Sequence, residues 1–322
     1  MERRVLYDPG KVWLIDMDGI LRPLKVVAAG GDLRMSVLAR LMREDGHDVS
    51  VFAAEDAPAA SPPLRAAGDA DLARADLVVL PLPAIDAEGS INAPFSSVRI
   101  SPEKLFSGLR RGTLVAAGMV SESLRAAAVR HGLRIEDYAA REEFAVRNAV
   151  PTAEGAIEIA MGMLGVTLHR SRALVVGFGR IGKLLALKLR ALGTDVTASA
   201  RKYSDLAWID AFGCRALRTS ALAEAVGQFD IVFNTVPARV LGRAELEVLR
   251  PEAPVIDLAS RPGGVDMDAA LELGREVTWA LSLPGRCSPV TAGEIIRDTV
   301  YNILDETAGA AEIRGNNNEN NT

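Results

Sequence analysis

Gly177, Gly179 and Gly182 stand in the spacing G-x-G-x-x-G, directly after the apolar run 173–176 and at the start of an amphipathic stretch. In that setting the first glycine permits a tight turn and the second lets backbone approach a pyrophosphate. The third allows close packing of helix on strand. The helix start, with Phe178, Arg180 and Ile181 between and beside the glycines, presents N–H groups to the anion. The chemistry implied is the binding of a dinucleotide. In NAD-preferring sites an acidic residue about 20 positions further on binds the ribose 2′-hydroxyl. Here Asp195 falls at the beginning of the next strand, and the tip carries Ser199, Arg201 and Lys202 instead. A hydroxyl and two cations suit a 2′-phosphate, so NADP is expected over NAD.

Other glycine-rich loops offer groups to a small acid. In "AAGGDLR" (28–34), Gly30 and Gly31 are read as exposing N–H groups at a helix start, and Arg34 as a fork for a carboxylate. The plain alternative is a strand-to-helix turn capped by Asp32. "NTVP" places Thr235, Val236 and Pro237 at a strand end where they reach the nicotinamide side of a dinucleotide. "DLASRPGGVD" (257–266) ends the following strand, with Arg261 beside Gly263 and Gly264 as a carboxylate anchor. The same residues are also strong turn formers. "LPG" (283–285) closes a further strand with the same ambiguity.

These loops need a frame. Short β-rich apolar runs alternate with amphipathic stretches of helical length, which is the pattern of a parallel sheet with crossover helices. The pattern occurs twice. Strands are expected at 24–31, 48–52, 75–83, 112–118 and 133–139, then at 172–179, 194–200, 229–237, 253–260 and 276–285. The fold class is therefore α/β, with two doubly wound, Rossmann-like parallel-sheet domains and a cleft between them. The expected division is a substrate-side domain at 1–149, a linker helix at 150–166, an NADP-binding domain at 167–290 and a disordered polar tail at 308–322. A last helix at 291–307 packs back on the first domain. Ligands of such sheets lie beyond the carboxyl ends of the strands, so the cleft is the expected active site.

Composition narrows the classes. At 322 residues, 49% hydrophobic and 25% charged, the chain has the balance of a globular protein of about two domains. A net charge of −5 gives no footprint for nucleic acid. No apolar run approaches the ~18 residues of a membrane span. Two cysteines, Cys214 and Cys287, make no disulfide framework, no metal-ligand cluster is spaced along the chain, and a cytoplasmic setting is expected. "WLIDMDGIL" (13–21) matches the opening of aspartate-nucleophile phosphatases, but a new strand-glycine-helix unit follows at once, and a hairpin with an Asp-Gly turn is the simpler reading. His47, His131 and His169 all lie in connections, so no histidine stands out as the cleft base that a hydroxy-acid dehydrogenase uses. Cys287 lacks a partnered base and reads as inert.

Together "GGDLR", "LPLP", "PTAEGAI", "GFGRIG", "NTVPA", "IDLASRPGGVD" and "LPGRCSPVTAGEII", in that order from about residue 25 to 305, resemble the dipicolinate synthase A-subunit family. The first 23 residues and Cys287 depart from the pattern. The resemblance implies an NADP-linked oxidoreductase that converts dihydrodipicolinate, or its 4-hydroxytetrahydro precursor, to pyridine-2,6-dicarboxylate. It implies a partner in the form of a flavoprotein-like B subunit. It also implies a homo-oligomer, and the cytoplasm of the mother cell of a sporulating bacterium. With no histidine base, Thr152, Glu154 or Ser260 is the expected proton acceptor. Two other readings remain open at this level: a dehydrogenase of another small carboxylate, and a non-catalytic nucleotide-binding protein supporting the flavoprotein.

Overall fold

A computed structural model describes residues 4–8, 11–15, 21–57 and 63–319, with side chains described between 22 and 307 in those ranges. The chain divides into two compact units. One comprises Met1–Ala145 and Pro289–Thr322, the other Val146–Ser288.

The first unit opens with β1 (Arg4–Asp8), β2 (Lys11–Ile15) and β3 (Leu21–Arg22), which form a small antiparallel sheet in that order. Strands β2 and β3 pair antiparallel as the expected hairpin requires, and the "DMDG" residues between them, where the Asp-Gly turn is expected, lie outside the described residues. Then follow β4 (Lys25–Ala29), α1 (Leu33–Glu44), β5 (Asp48–Phe52), β6 (Arg65–Ala66), α2 (Asp69–Arg74), β7 (Leu77–Val79), α3 (Pro102–Ser107), β8 (Leu114–Ala117), α4 (Glu122–Arg130) and β9 (Arg134–Asp137). Helix α5 (Glu142–Met163) begins in this unit and ends in the second.

The second unit continues with β10 (Arg172–Val176), α6 (Arg180–Ala191), β11 (Asp195–Ala200), α7 (Tyr203–Ala211), β12 (Arg215–Arg218), α8 (Leu222–Ala225), β13 (Ile231–Asn234), α9 (Arg243–Val248), β14 (Val255–Asp257), α10 (Met267–Glu272), β15 (Val277–Trp279) and α11 (Leu283–Cys287). Helix α12 (Pro289–Glu319) returns to the first unit. The two large sheets run β6-β5-β4-β7-β8-β9 and β12-β11-β10-β13-β14-β15, every pairing parallel. These are two doubly wound, Rossmann-like sheets, as the sequence predicts.

The sheets form because their central strands are apolar on both faces. Alternate residues of β4 enter different clusters: Val26 and Ala28 pack with Met35, Leu38 and Ile296, whereas Val27 and Ala29 pack with Leu105, Phe106 and Leu124. The second sheet repeats the device. Ala173 and Val175 of β10 join Leu185 and Leu189 of α6, while Leu174 and Val176 join Leu222 and Leu246.

Several elements differ from the sequence reading. The edge strands β6 and β12 are short and largely exposed, so they carry no apolar run to announce them. Helix α5 starts at Glu142 rather than at 150, and Pro151 lies inside it. A proline removes one N–H from the helical ladder; here the next residue, Thr152, donates its hydroxyl to the Asn148 carbonyl one turn back, at 2.7 Å. Residues 283–285 belong to α11, not to a strand end. Helix α12 continues to Glu319, through most of the stretch expected to be disordered.

Beside α12, His47 is buried, accepts the Leu24 N–H on Nδ1 at 3.3 Å, and meets the Tyr301 ring edge-on. Burial lowers its pKa from 6.5, against a smaller opposing pull from Asp45. Below pH 6.5 the unfolded chain therefore binds a proton that the folded chain resists, and stability falls as pH drops through that window. Urea unfolding of the full chain and of His47→Gln between pH 7 and 5 is expected to show a shallower pH slope in the variant; equal slopes would remove His47 as the cause.

Candidate functional site

The end of β10 and the start of α6 form the glycine turn. Gly177 has φ +95, and a Cβ on it would lie 2.5 Å from Thr235 Oγ1. A Cβ on Gly182 would lie 2.2 Å from the Gly177 carbonyl oxygen, so this glycine lets the helix sit against the turn. Gly179 differs from both. Its φ of −81 is ordinary, and a Cβ there would meet nothing within 4 Å. Neither backbone conformation nor packing within the chain asks for glycine at this position, which leaves the close approach of a ligand. Gly179 is also the N-cap of α6 and supplies no side-chain cap, so the first-turn N–H groups face the same space without one.

That space is a cleft of about 500 Å³ within the second unit. Of the residues expected at the cofactor, Gly177, Phe178, Gly179, Arg180, Arg201, Lys202, Thr235, Val236 and Pro237 line it together. Ile181 and Gly182 lie behind the wall in α6. Ser199 is a correction. Its side chain is fully buried, registered between Val176 and Leu217, and its Oγ finds no partner, so the hydroxyl does not reach a ribose phosphate. Its carbonyl instead accepts the Gly177 N–H at 3.0 Å and seats the turn. Lys183, Asp205, Thr219, Ala238 and Val240 also line the cleft and were not expected. Lys183 was legible as the residue one helical turn after Arg180; Thr219 follows the edge strand that the sequence hides.

Next to the cleft, β13 and β14 end in two loops tied by one carboxylate. Asp257 is 1% exposed and accepts from Asn234 Nδ2 at 2.7 Å, the Ala259 N–H at 3.0 Å and the Gly264 N–H at 2.8 Å. Asn234 in turn donates to the Val236 carbonyl and accepts the Val236 N–H, which shapes "NTVP". The Gly263 N–H goes to the Ser260 carbonyl. Gly263 and Gly264 therefore make the turn, the alternative that the sequence leaves open beside a substrate contact, and their N–H groups are taken up within it. Arg261 is exposed, with its guanidinium 5.7 Å from the centre of the Trp279 ring, whose Nε1 donates to the Ala259 carbonyl.

In the first unit the expected substrate loop is satisfied internally. Gly30 and Gly31 have φ +67 and +87, and their N–H groups donate to the Phe52 and Asn92 carbonyls, both at 2.8 Å. They are left-handed turn residues, not anion donors. Arg34 is buried, clasps the Asp32 carboxylate through Nε and Nη2, and donates to the Leu82 carbonyl at 2.6 Å. Asp32 also caps α1, so the capped turn considered as the alternative is what forms.

The three proton-acceptor candidates are not brought together. Thr152 bonds to Asn148, Glu154 pairs with Lys188 Nζ at 2.7 Å two turns along α6 from the glycine turn, and Ser260 sits exposed in the loop after β14. Cys287 lies against Gly155, and partial burial followed by a hydrogen bond to Glu158 pushes its thiol above the ordinary range. A thiol held protonated is a poor nucleophile.

A family model described as the N-terminal domain of the dipicolinate synthase A subunit matches residues 25–139. The dipicolinate synthase A subunit of Bacillus subtilis (strain 168) is 30% identical over 300 residues, covering 89% of this chain and 98% of that protein. The chain belongs to the dipicolinate synthase A-subunit family. A second model, described as the NAD binding domain of D-isomer specific 2-hydroxyacid dehydrogenases, matches residues 138–276, which hold the glycine turn and the cleft. Family membership and this domain make the chain an oxidoreductase with a nicotinamide cofactor. Crystal structures of the dipicolinate synthase A subunit from Bacillus halodurans and from Bacillus subtilis are each 28% identical with a TM-score of 0.79. The first covers 87% of this chain and 97% of its own, the second 90% and 98%. A transhydrogenase from Sinorhizobium meliloti, 18% identical with a TM-score of 0.64 over 95% of this chain and 93% of its own, shares the fold. Among the described residues no helix is long and apolar enough to cross a membrane.

Proposed function

We propose that the chain is the A subunit of a dipicolinate synthase, an NADP-linked oxidoreductase acting on a CH–CH pair. Its substrate is dihydrodipicolinate, or the 4-hydroxytetrahydro precursor after loss of water. Aromatising the ring of dihydrodipicolinate removes one hydride and one proton and leaves pyridine-2,6-dicarboxylate. The observation that carries this reading is the cleft around Gly179, with its reserved space, in a chain of this family.

Bound NADP supplies the hydride acceptor. The turn 177–182 and the start of α6 hold its pyrophosphate. Arg201 and Lys202 answer the charge of a 2′-phosphate, and Thr235 to Pro237 border the nicotinamide side. Arg261 is the exposed cation of the loop tied by Asp257 and serves as the anchor for one substrate carboxylate. Ser260 beside it, unlike Thr152 and Glu154, has no side-chain bond to another described residue and passes the departing proton to solvent. The reading carries with it a homo-oligomeric assembly, the mother-cell cytoplasm and a flavoprotein-like B subunit.

Purified chain, alone and with its B subunit, is mixed with dihydrodipicolinate and NADP, and absorbance follows NADPH and the pyridine product. Turnover is expected. Arg261→Ala is expected to raise KM about 10- to 100-fold, as for a lost charged hydrogen-bond pair, with NADP affinity unchanged. No turnover in either mixture, with nucleotide binding retained, would overturn the dipicolinate-forming reading in favour of a nucleotide-holding protein.

A further inference from the structure

The end of the hidden edge strand brings a cation up beside the nucleotide cleft. In the β11–β12 ladder Arg218 pairs with Ala200, and Thr219, the next residue, lines the cleft beside Ala200, Arg201 and Lys202. Arg218 is exposed and lays its guanidinium 4.6 Å from the centre of the Tyr203 ring. Tyr203 is the first residue of α7 and Lys202 its N-cap. Arg201 and Lys202 thus line one cleft wall, Arg218 stands beside that wall as the neighbour of Thr219, and among the described residues Asp205 is the single carboxylate lining the cleft.

Other cations of the second unit stand in ion pairs. Arg172 is paired with Asp230, Arg215 with Asp195 and Arg243 with Glu272. Arg201, Lys202 and Arg218 have no ion pair among the described residues, and the contact of Arg218 is with the face of a ring. Stacking occupies the π face of a guanidinium and leaves its in-plane N–H groups free to meet oxygens. Unpaired like charges held together repel one another unless an anion joins them.

We propose that Arg218 is a specificity-determining residue for the cofactor: with Arg201 and Lys202 it forms a three-cation seat for the 2′-phosphate of NADP, and Tyr203 is the positioning residue that holds it there. A phosphomonoester carries about −1.5 to −2 charges at neutral pH, which matches three cations less Asp205. The proposal rests on the NADP reading above and names a residue that the reading does not contain.

The test uses calorimetric titration of the full chain with 2′,5′-ADP and 5′-AMP, which differ by the phosphate in question. Wild type is expected to prefer 2′,5′-ADP. Arg218→Ala is expected to weaken 2′,5′-ADP about tenfold, a typical loss for one charge-assisted hydrogen bond, and to leave 5′-AMP within about twofold. Tyr203→Ala lowers the same preference and Tyr203→Phe, which keeps the ring, restores it. Retention of the full preference in Arg218→Ala, or equal weakening of both ligands, overturns the role of Arg218. If Arg201→Ala abolishes the preference in that case, the NADP reading stands without it. A wild type that binds both ligands equally overturns the NADP reading and this proposal together.

Discussion

Gly179→Val is expected to fold like wild type and to bind NADP or NAD at least about 100-fold more weakly, since a pyrophosphate pushed off two N–H donors loses about 3 kcal/mol. The fold is expected to tolerate the change because Gly179 has φ −81 and ψ −160, which any residue adopts, and its Cβ position is open for 4 Å. The cost to the helix is that of a poorer N-cap residue, on the order of 1 kcal/mol or less. Gly182→Val is the matched contrast. Its Cβ would stand 2.2 Å from the Gly177 oxygen, so it is expected to lower the melting temperature as well as the affinity. Thermal melts and nucleotide titrations of the two variants side by side separate a glycine kept for a ligand from one kept for packing. Normal binding by Gly179→Val would remove this cleft as the phosphate site.

What the sequence discloses and what it hides divide along a physical line. The glycine turn, the central strands and the crossover helices depend on neighbours a few positions away, so their spacing can be read directly along the chain. The edge strands β6 and β12 are exposed and lack an apolar period, so Arg218 and Thr219 stay out of view with them. The state of a polar group is harder still, because its partner is distant along the chain. The Gly31 N–H meets the carbonyl of Asn92, and Glu154 meets Lys188. Ser199 shows a third limit. It stands at the tip of β11, where a ribose contact is expected, but its side chain is fully buried and takes no part in the cleft lining, and only the three-dimensional packing reveals this. Arg34 fails as a substrate fork for the nearest of reasons: Asp32, two residues before it, takes the guanidinium first.

Asp257→Ala is expected to destabilise the second unit by about 3 kcal/mol, because it orphans buried donors that each cost about 1–3 kcal/mol unpaired. The carboxylate is 1% exposed and receives the N–H groups of Ala259 and Gly264 and the Asn234 amide. Asn234 keeps its second acceptor, the Val236 carbonyl, at 3.0 Å, whereas the two backbone donors have no other acceptor among the described residues. For a unit of this size the loss corresponds to a drop of roughly 10 °C in its melting temperature. Asp257→Asn tests the chemistry rather than the space. It fills the same volume but turns one acceptor into a donor facing a donor, so it is expected to lose most of the same stability. Because Asp257 joins the loop of Thr235 to Pro237 to the loop of Arg261, both variants are expected to weaken nucleotide binding and raise substrate KM together, unlike Arg261→Ala, which moves KM alone. Differential scanning calorimetry with and without NADP reads both effects, and an Asp257→Asn protein as stable as wild type would show that the two loops are held by something other than this carboxylate.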